Sequence, residues 1–191
     1  MRVIHAVLFA ACALCFSLPI EAGARCAAND ASKEIKFSPE DDAEGLVLKV
    51  IHSASRSVRV AAYSFTSPAI VKALIAAKRR GIDVAVVVDY RHNLEDNADR
   101  SRAKAAARSA LDLLVRAGIP ARTIAVFPVA HDKVIISDSC HVQTGSFNYS
   151  QQARRNSENV IVLWNDEQAA AAYLRHWNNR FSQGIEYRSS Y

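Results

Sequence analysis

The sequence predicts an α/β fold, with one mixed, largely parallel sheet flanked by helices. Three observations carry this. Short apolar runs alternate with segments of helical periodicity from residue 34 onward. The run Ile82 to Asp89 (IDVAVVVD) is apolar almost without a break, the pattern of a strand covered on both faces. Capping and breaking residues punctuate the joins, as at Ser67-Pro68, Gly81 and Gly118.

Each element has its own local reason. Glu34 to Ser38 alternates, with Ile35 and Phe37 apolar, and reads as a short strand. Pro39 and Asp41-Asp42 open a helix, and Leu46, Val47, Val50 and Ile51 give Ala43 to Ser53 one apolar face. Ser57 to Phe65 is Val- and Ala-rich and reads as a strand. Ser67 is an N-cap with proline at the first helical position, and that helix runs to Arg80. After the strand ending at Asp89, Tyr90 to Asp99 is polar and reads as a loop. Arg100 to Ala117 is an Ala-rich helix. Ala121 to Phe127 and His131 to Ser137 read as strands, with His141 to Thr144 as the hairpin partner of the second. Gly145 to Asn156 holds a turn and a short helical piece, Glu158 to Trp164 is a strand, and Asn165-Asp166 caps a helix from Glu167 to about Phe181.

The N-terminus has a different character. Met1-Arg2 is followed by an apolar run from Val3 to Ile20 and then by Ala22-Gly23-Ala24, the layout of a cleaved secretory signal peptide. The expectation is a signal over 1–24 and one domain over 25–191, in the periplasm or secreted, with no stable membrane anchor after cleavage. Two cysteines then remain, Cys26 and Cys140, an even pair compatible equally with a disulfide and with two free thiols. The net charge is +5, which suits a polyanionic partner without specifying one.

The informative stretch is AHDKVIISD, residues 130–138, followed by TGSFNYS at 144–150 and NSEN at 156–159. On a strand, His131 and Lys133 share a face, and Val134-Ile135-Ile136 embeds that strand in a core. A rigid imidazole beside an ammonium suits a phosphodiester. The lysine neutralises nonbridging oxygens, and a neutral histidine attacks phosphorus or moves a proton. Gly145-Ser146-x-Asn148 adds small polar donors on a tight turn, a cradle for phosphate. Glu158 can orient an imidazole and stabilise its cation. Phe147 and Tyr149 suit base stacking or core packing alike.

The joint pattern His131-x-Lys133-x4-Asp138, then Gly145-Ser146-x-Asn148 and Asn156-Ser157-Glu158-Asn159, resembles the phospholipase D superfamily. A single motif copy, small size and an export signal resemble its small bacterial endonucleases. The resemblance implies a metal-independent phosphodiesterase that needs no cofactor. Its substrate would be DNA, and RNA as well, cleaved through a phosphohistidine; phospholipid headgroups are the alternative. It implies His131, Lys133, Asp138 and Glu158 as catalytic, with Asp138 mainly holding local geometry and charge balance. Lys133, Ser146 and Asn148 would bind the phosphoryl oxygens. Since this mechanism uses two histidines and the chain has one motif, it also implies a homodimer with the site at the two-fold interface.

Overall fold

The computed structural model describes residues 26, 30–95 and 101–189. The expected signal segment lies outside them. Along the chain come β1 (Ser32–Ser38), α1 (Ala43–Ser53), β2 (Ser57–Ala62), α2 (Pro68–Arg79), β3 (Asp83–Asp89), α3 (Tyr90–Asn93) and α4 (Ser101–Arg116). Then follow β4 (Ala121–Ile124), β5 (Lys133–Ser137), β6 (His141–Gly145), a 3-10 turn (Gln152–Arg155), β7 (Glu158–Trp164), α5 (Glu167–Gln183) and β8 (Ile185–Glu186). The strands form one sheet in the order β1-β7-β6-β5-β2-β3-β4-β8.

The α/β class and the mixed sheet are as expected, but parallel pairing is confined to β2-β3-β4. Every other adjoining pair is antiparallel. The reason is connection length. Parallel neighbours need a long crossover, which α2 and then α3–α4 supply. The turn from Asp138 to Cys140 is too short for one, so β5 and β6 form a hairpin.

Side-chain caps fix the helix starts. Asp42 accepts the Gly45 N–H at 2.9 Å, and Asp166 accepts the Ala169 N–H at 2.9 Å. Ser67 caps α2 with Pro68 in its first turn. Alternation along the strands builds two cores. Val58, Val60, Val84, Val86, Ile135 and Val160 belong to the face covered by α1, α2 and α4. Ala61, Val87, Val134 and Ile136 belong to the face covered by α5, where the Trp177 indole donates to the Val60 carbonyl at 2.9 Å.

Helix α5 reaches only part of its face, lying over β2 to β6. At the β1 edge, Ile35 and Phe37 stay 50% and 51% exposed, with Ile35 opposite Ile161. A disulfide joins Cys26 to Cys140, and the Cys26 N–H donates to Glu167 Oε1 at 2.7 Å. The start of the described chain is thereby tied to the β5–β6 turn.

Candidate active site

Antiparallel pairing brings the C-terminal ends of β1, β2 and β6 and the N-terminal ends of β5 and β7 to one end of the sheet. His131, Lys133, Ser146, Asn148 and Glu158 all lie there. His131 comes two residues before β5 begins rather than within it. The β2–β5 pairing nevertheless extends to Asp132, next to His131, because the Tyr63 N–H donates to the Asp132 carbonyl at 2.8 Å.

Tyr63 organises the pair. Its ring meets His131 edge-on, with centroids 4.5 Å apart, and Lys133 Nζ lies 5.0 Å from its centroid. Lys133 Nζ also donates to the His131 carbonyl at 2.9 Å. His131 is exposed, whereas Lys133 is 5% exposed. Burial pushes the Lys133 pKa below the ordinary lysine value, and the charges of Glu158 and Asp132 oppose the shift without cancelling it. An ammonium short of counter-charge is what a phosphate would complete.

The Asn148 turn is built for close approach. Gly145 has φ +144°, and a Cβ there would sit 2.2 Å from the Asn159 carbonyl oxygen, so no other residue fits. Ser146 is locked to Asn159: its N–H donates to the Asn159 carbonyl at 3.1 Å, and its Oγ accepts the Asn159 N–H at 3.0 Å. The Tyr149 carbonyl accepts the N–H groups of Thr66 and Ser67, each at 2.8 Å. Between these anchors, Asn148 Oδ1 is buried and has no hydrogen-bond partner among the described residues. A buried oxygen left unpaired is costly, and an incoming donor would relieve it. Phe147 and Tyr149 are fully buried, and the Tyr149 hydroxyl donates to Gln143 at 2.6 Å, so both are core residues and neither stacks on a ligand.

Glu158 opens β7 half-buried and accepts from Asn156 Nδ2 at 3.1 Å. It acts on Lys133 through charge; among the described residues its hydrogen bond is to Asn156 and not to an imidazole.

Asp138 is not with the others. It lies five residues beyond Lys133, about 16 Å at strand rise, at the opposite end of the sheet. Its carboxylate accepts from Ser55 N (2.8 Å), Ser55 Oγ (2.7 Å), Arg56 N (2.7 Å) and Ser57 N (2.8 Å). Burial alone would raise its pKa. The hydrogen bonds from Ser57, Ser55 and Arg56 outweigh burial and hold it below the ordinary aspartate value. Asp138 ties the β5–β6 turn to the start of β2. His141 is likewise structural, its Nδ1 accepting the Asn165 N–H at 3.0 Å.

Sequence reasoning missed the residues that hold this site. Asp89 Oδ1 accepts the His92 N–H at 2.6 Å, and Oδ2 accepts the Ala130 N–H at 2.9 Å, one residue before His131. Asn93 donates to the carbonyls of Tyr63 (2.6 Å) and Asp89 (2.7 Å). The His92 ring lies 4.0 Å from that of Tyr63. The available signal was a polar Asp-Tyr-Arg-His-Asn run that begins on the last residue of a largely apolar strand.

The cardiolipin synthase, PLD-like domain family matches residues 47–181, most of the chain. This chain belongs to the phospholipase D superfamily. A phospholipase D from Rickettsia conorii is 37% identical over 145 residues, covering 75% of this chain and 66% of that protein. The chain thus spans just under two thirds of that curated relative. The crystal structure of Nuc, a phospholipase D family member from Salmonella typhimurium, is 46% identical and superposes with a TM-score of 0.77, covering 84% of this chain and all of that one. NucT from Helicobacter pylori shares the fold at 22% identity, with a TM-score of 0.65 over 83% of this chain and all of NucT. The motif of this chain brackets β5, with His131 before the strand, Lys133 at its start and Asp138 just after it.

Proposed function

We propose that the chain is a metal-independent endonuclease that hydrolyses DNA, and RNA as well, through a phosphohistidine. The observation that carries this reading is the convergence of exposed His131 and buried cationic Lys133 at one open sheet end, beside the turn that carries Asn148. His131 attacks phosphorus and forms the P–N bond as the leaving oxygen departs. A second imidazole protonates that oxygen, then takes a proton from the water that breaks the P–N bond. Lys133 binds nonbridging oxygens and stabilises the charge that builds on them. Asn148 and the Ser146 hydroxyl complete the phosphate cradle, and Glu158 keeps the site's charge balanced.

A two-fold homodimer supplies the second His131. The uncovered β1 edge supports it: Ile35 and Phe37 lie exposed on the part of the face α5 does not reach, beside β7, the strand that Glu158 opens. Exposed Arg154 and Arg155, in the turn before Glu158, favour a polyanion over a neutral surface. Export to the periplasm or beyond rests on the apolar N-terminal run and agrees with the disulfide.

The alternative substrate is a phospholipid headgroup, a reading favoured by the name of the Rickettsia relative. Purified mature protein is incubated with plasmid DNA, RNA and phosphatidylcholine vesicles, each with EDTA and each beside His131→Ala. Nucleic-acid cleavage that survives EDTA and vanishes in the variant is expected. Choline release alone would replace this reading with the lipid one, and inactivity on all three would remove both. A fully active monomer in sedimentation at assay concentration would sink the shared site.

A further inference from the structure

A furrow runs between α2 and α4, away from His131 and Lys133, with a cavity of about 460 Å³. Its walls are Val71, Ile75 and Ala76 on one side and Ala106, Ala110 and Leu113 on the other. On both helices these positions recur at three- and four-residue spacing, so each helix turns one continuous stripe into the furrow. The alanines make it. With no bulk at 76, 106 and 110, the two helices leave a slot where larger side chains would interlock. Leu113 remains 49% exposed as a result. The two cations of the lining, Lys72 and Arg79, are exposed and lie along the α2 side, seven residues apart, and no carboxylate among the described residues lines the slot.

The slot is within the range of small-molecule sites. An occupant apolar along its length and anionic at one end complements the apolar floor and the two flanking cations.

We propose that this furrow is a binding site for a long-chain fatty carboxylate, the hydrocarbon lying between α2 and α4 and the carboxylate paired with Lys72 or Arg79. The proposal is independent of the catalytic reading: Thr66, whose N–H anchors the Asn148 turn, borders the slot, but none of the side chains assigned to the phosphate lines it.

The test is calorimetric binding of palmitate to the intact mature protein below its micelle concentration. Palmitate is expected to bind at one site per chain. Myristate, two methylenes shorter, should bind about 15-fold more weakly, from about fourfold per buried methylene. Ala106→Trp and, separately, Ala76→Trp fill the slot from exposed positions and should each abolish binding, with thermal unfolding and nucleic-acid cleavage unchanged. Lys72→Glu/Arg79→Glu should weaken palmitate at least tenfold and leave palmityl alcohol unaffected. Three results would overturn the proposal: no saturable binding, binding that survives both tryptophan variants, or palmityl alcohol binding as tightly as palmitate. Preferential binding of an acidic amphipathic peptide would also overturn it, in favour of a protein partner.

Discussion

Asp138 gives the sharpest separation of structure from chemistry. Replacing it with alanine removes one carboxylate and strands four donors: the N–H groups of Ser55, Arg56 and Ser57 and the Ser55 hydroxyl, all at 2.7 to 2.8 Å. Taken singly, hydrogen bonds to a charged group contribute about 1.5–3 kcal/mol each. They share one acceptor and are not additive, and water can reach part of the vacated turn. The loss of one partner from a buried charged network, about 3–5 kcal/mol, is the better figure. Asp138 also has φ +56°, a conformation alanine tolerates less well than aspartate. For a domain of this size the melting temperature should fall by about 6–20 °C. The assay is urea denaturation at pH 7 beside kcat/KM for plasmid cleavage at a temperature where the variant is folded. Activity per folded molecule should stay within about threefold of wild type. The pH dependence has a definite sign. The folded pKa lies below the ordinary 3.8, so the stabilisation is present above that value and is lost as pH falls through the folded pKa; Asp138→Ala should flatten this acid limb. A variant destabilised by less than about 1 kcal/mol but more than a hundredfold less active would refute the argument and return Asp138 to the chemistry.

Three further outcomes are expected. Lys133→Met should cost about 10²–10³ in kcat, the loss associated with one charge-stabilising donor, with stability by urea denaturation unchanged or raised because a buried cation is removed. Since the folded pKa of Lys133 lies below 10.5, wild type should gain stability relative to Lys133→Met as pH rises from that pKa to 10.5, while its activity falls over the same window. Tyr63→Leu should lower kcat/KM about tenfold by removing the ring that His131 and Lys133 share, and Tyr63→Phe should restore it. Cys26→Ser opens a link across 114 residues and should cost roughly 2–5 kcal/mol in thermal or urea unfolding, with cleavage intact because Cys140 lies at the sheet end away from His131.

Much of this was legible because it is periodic. The helices and the central strands follow from spacing and caps, and β5 announces itself through Val134-Ile135-Ile136. What was not legible depended on contacts distant in sequence. The short helix α3 forms in a polar run because Asp89 accepts the His92 N–H, which composition does not show. The two-residue β8 exists only through its pairing with β4. Tyr63 is an aromatic at the end of an apolar strand, a position that reads as core until His131 and Lys133 are seen against its ring. The motif grouped Asp138 with His131 and Lys133 by spacing, yet an extended strand carries residues five apart to opposite ends of a sheet.

That separation explains why one strand bears both charges. A strand buried on both faces tolerates an ionised residue only at its ends, where backbone donors or solvent can be reached. At one end the carboxylate of Asp138 is fully supplied with donors, its pKa is depressed, and its ionisation stabilises the fold. At the other, Lys133 has a carbonyl, an aromatic face and incomplete counter-charge, its pKa is also depressed, and its ionisation costs stability. The two shifts share a direction but have opposite consequences, because depression favours a charged carboxylate and disfavours a charged amine. A phosphodiester would reverse only the second. Substrate binding should therefore raise the Lys133 pKa and leave that of Asp138 unmoved, the behaviour expected of one functional end and one structural end on the same buried strand.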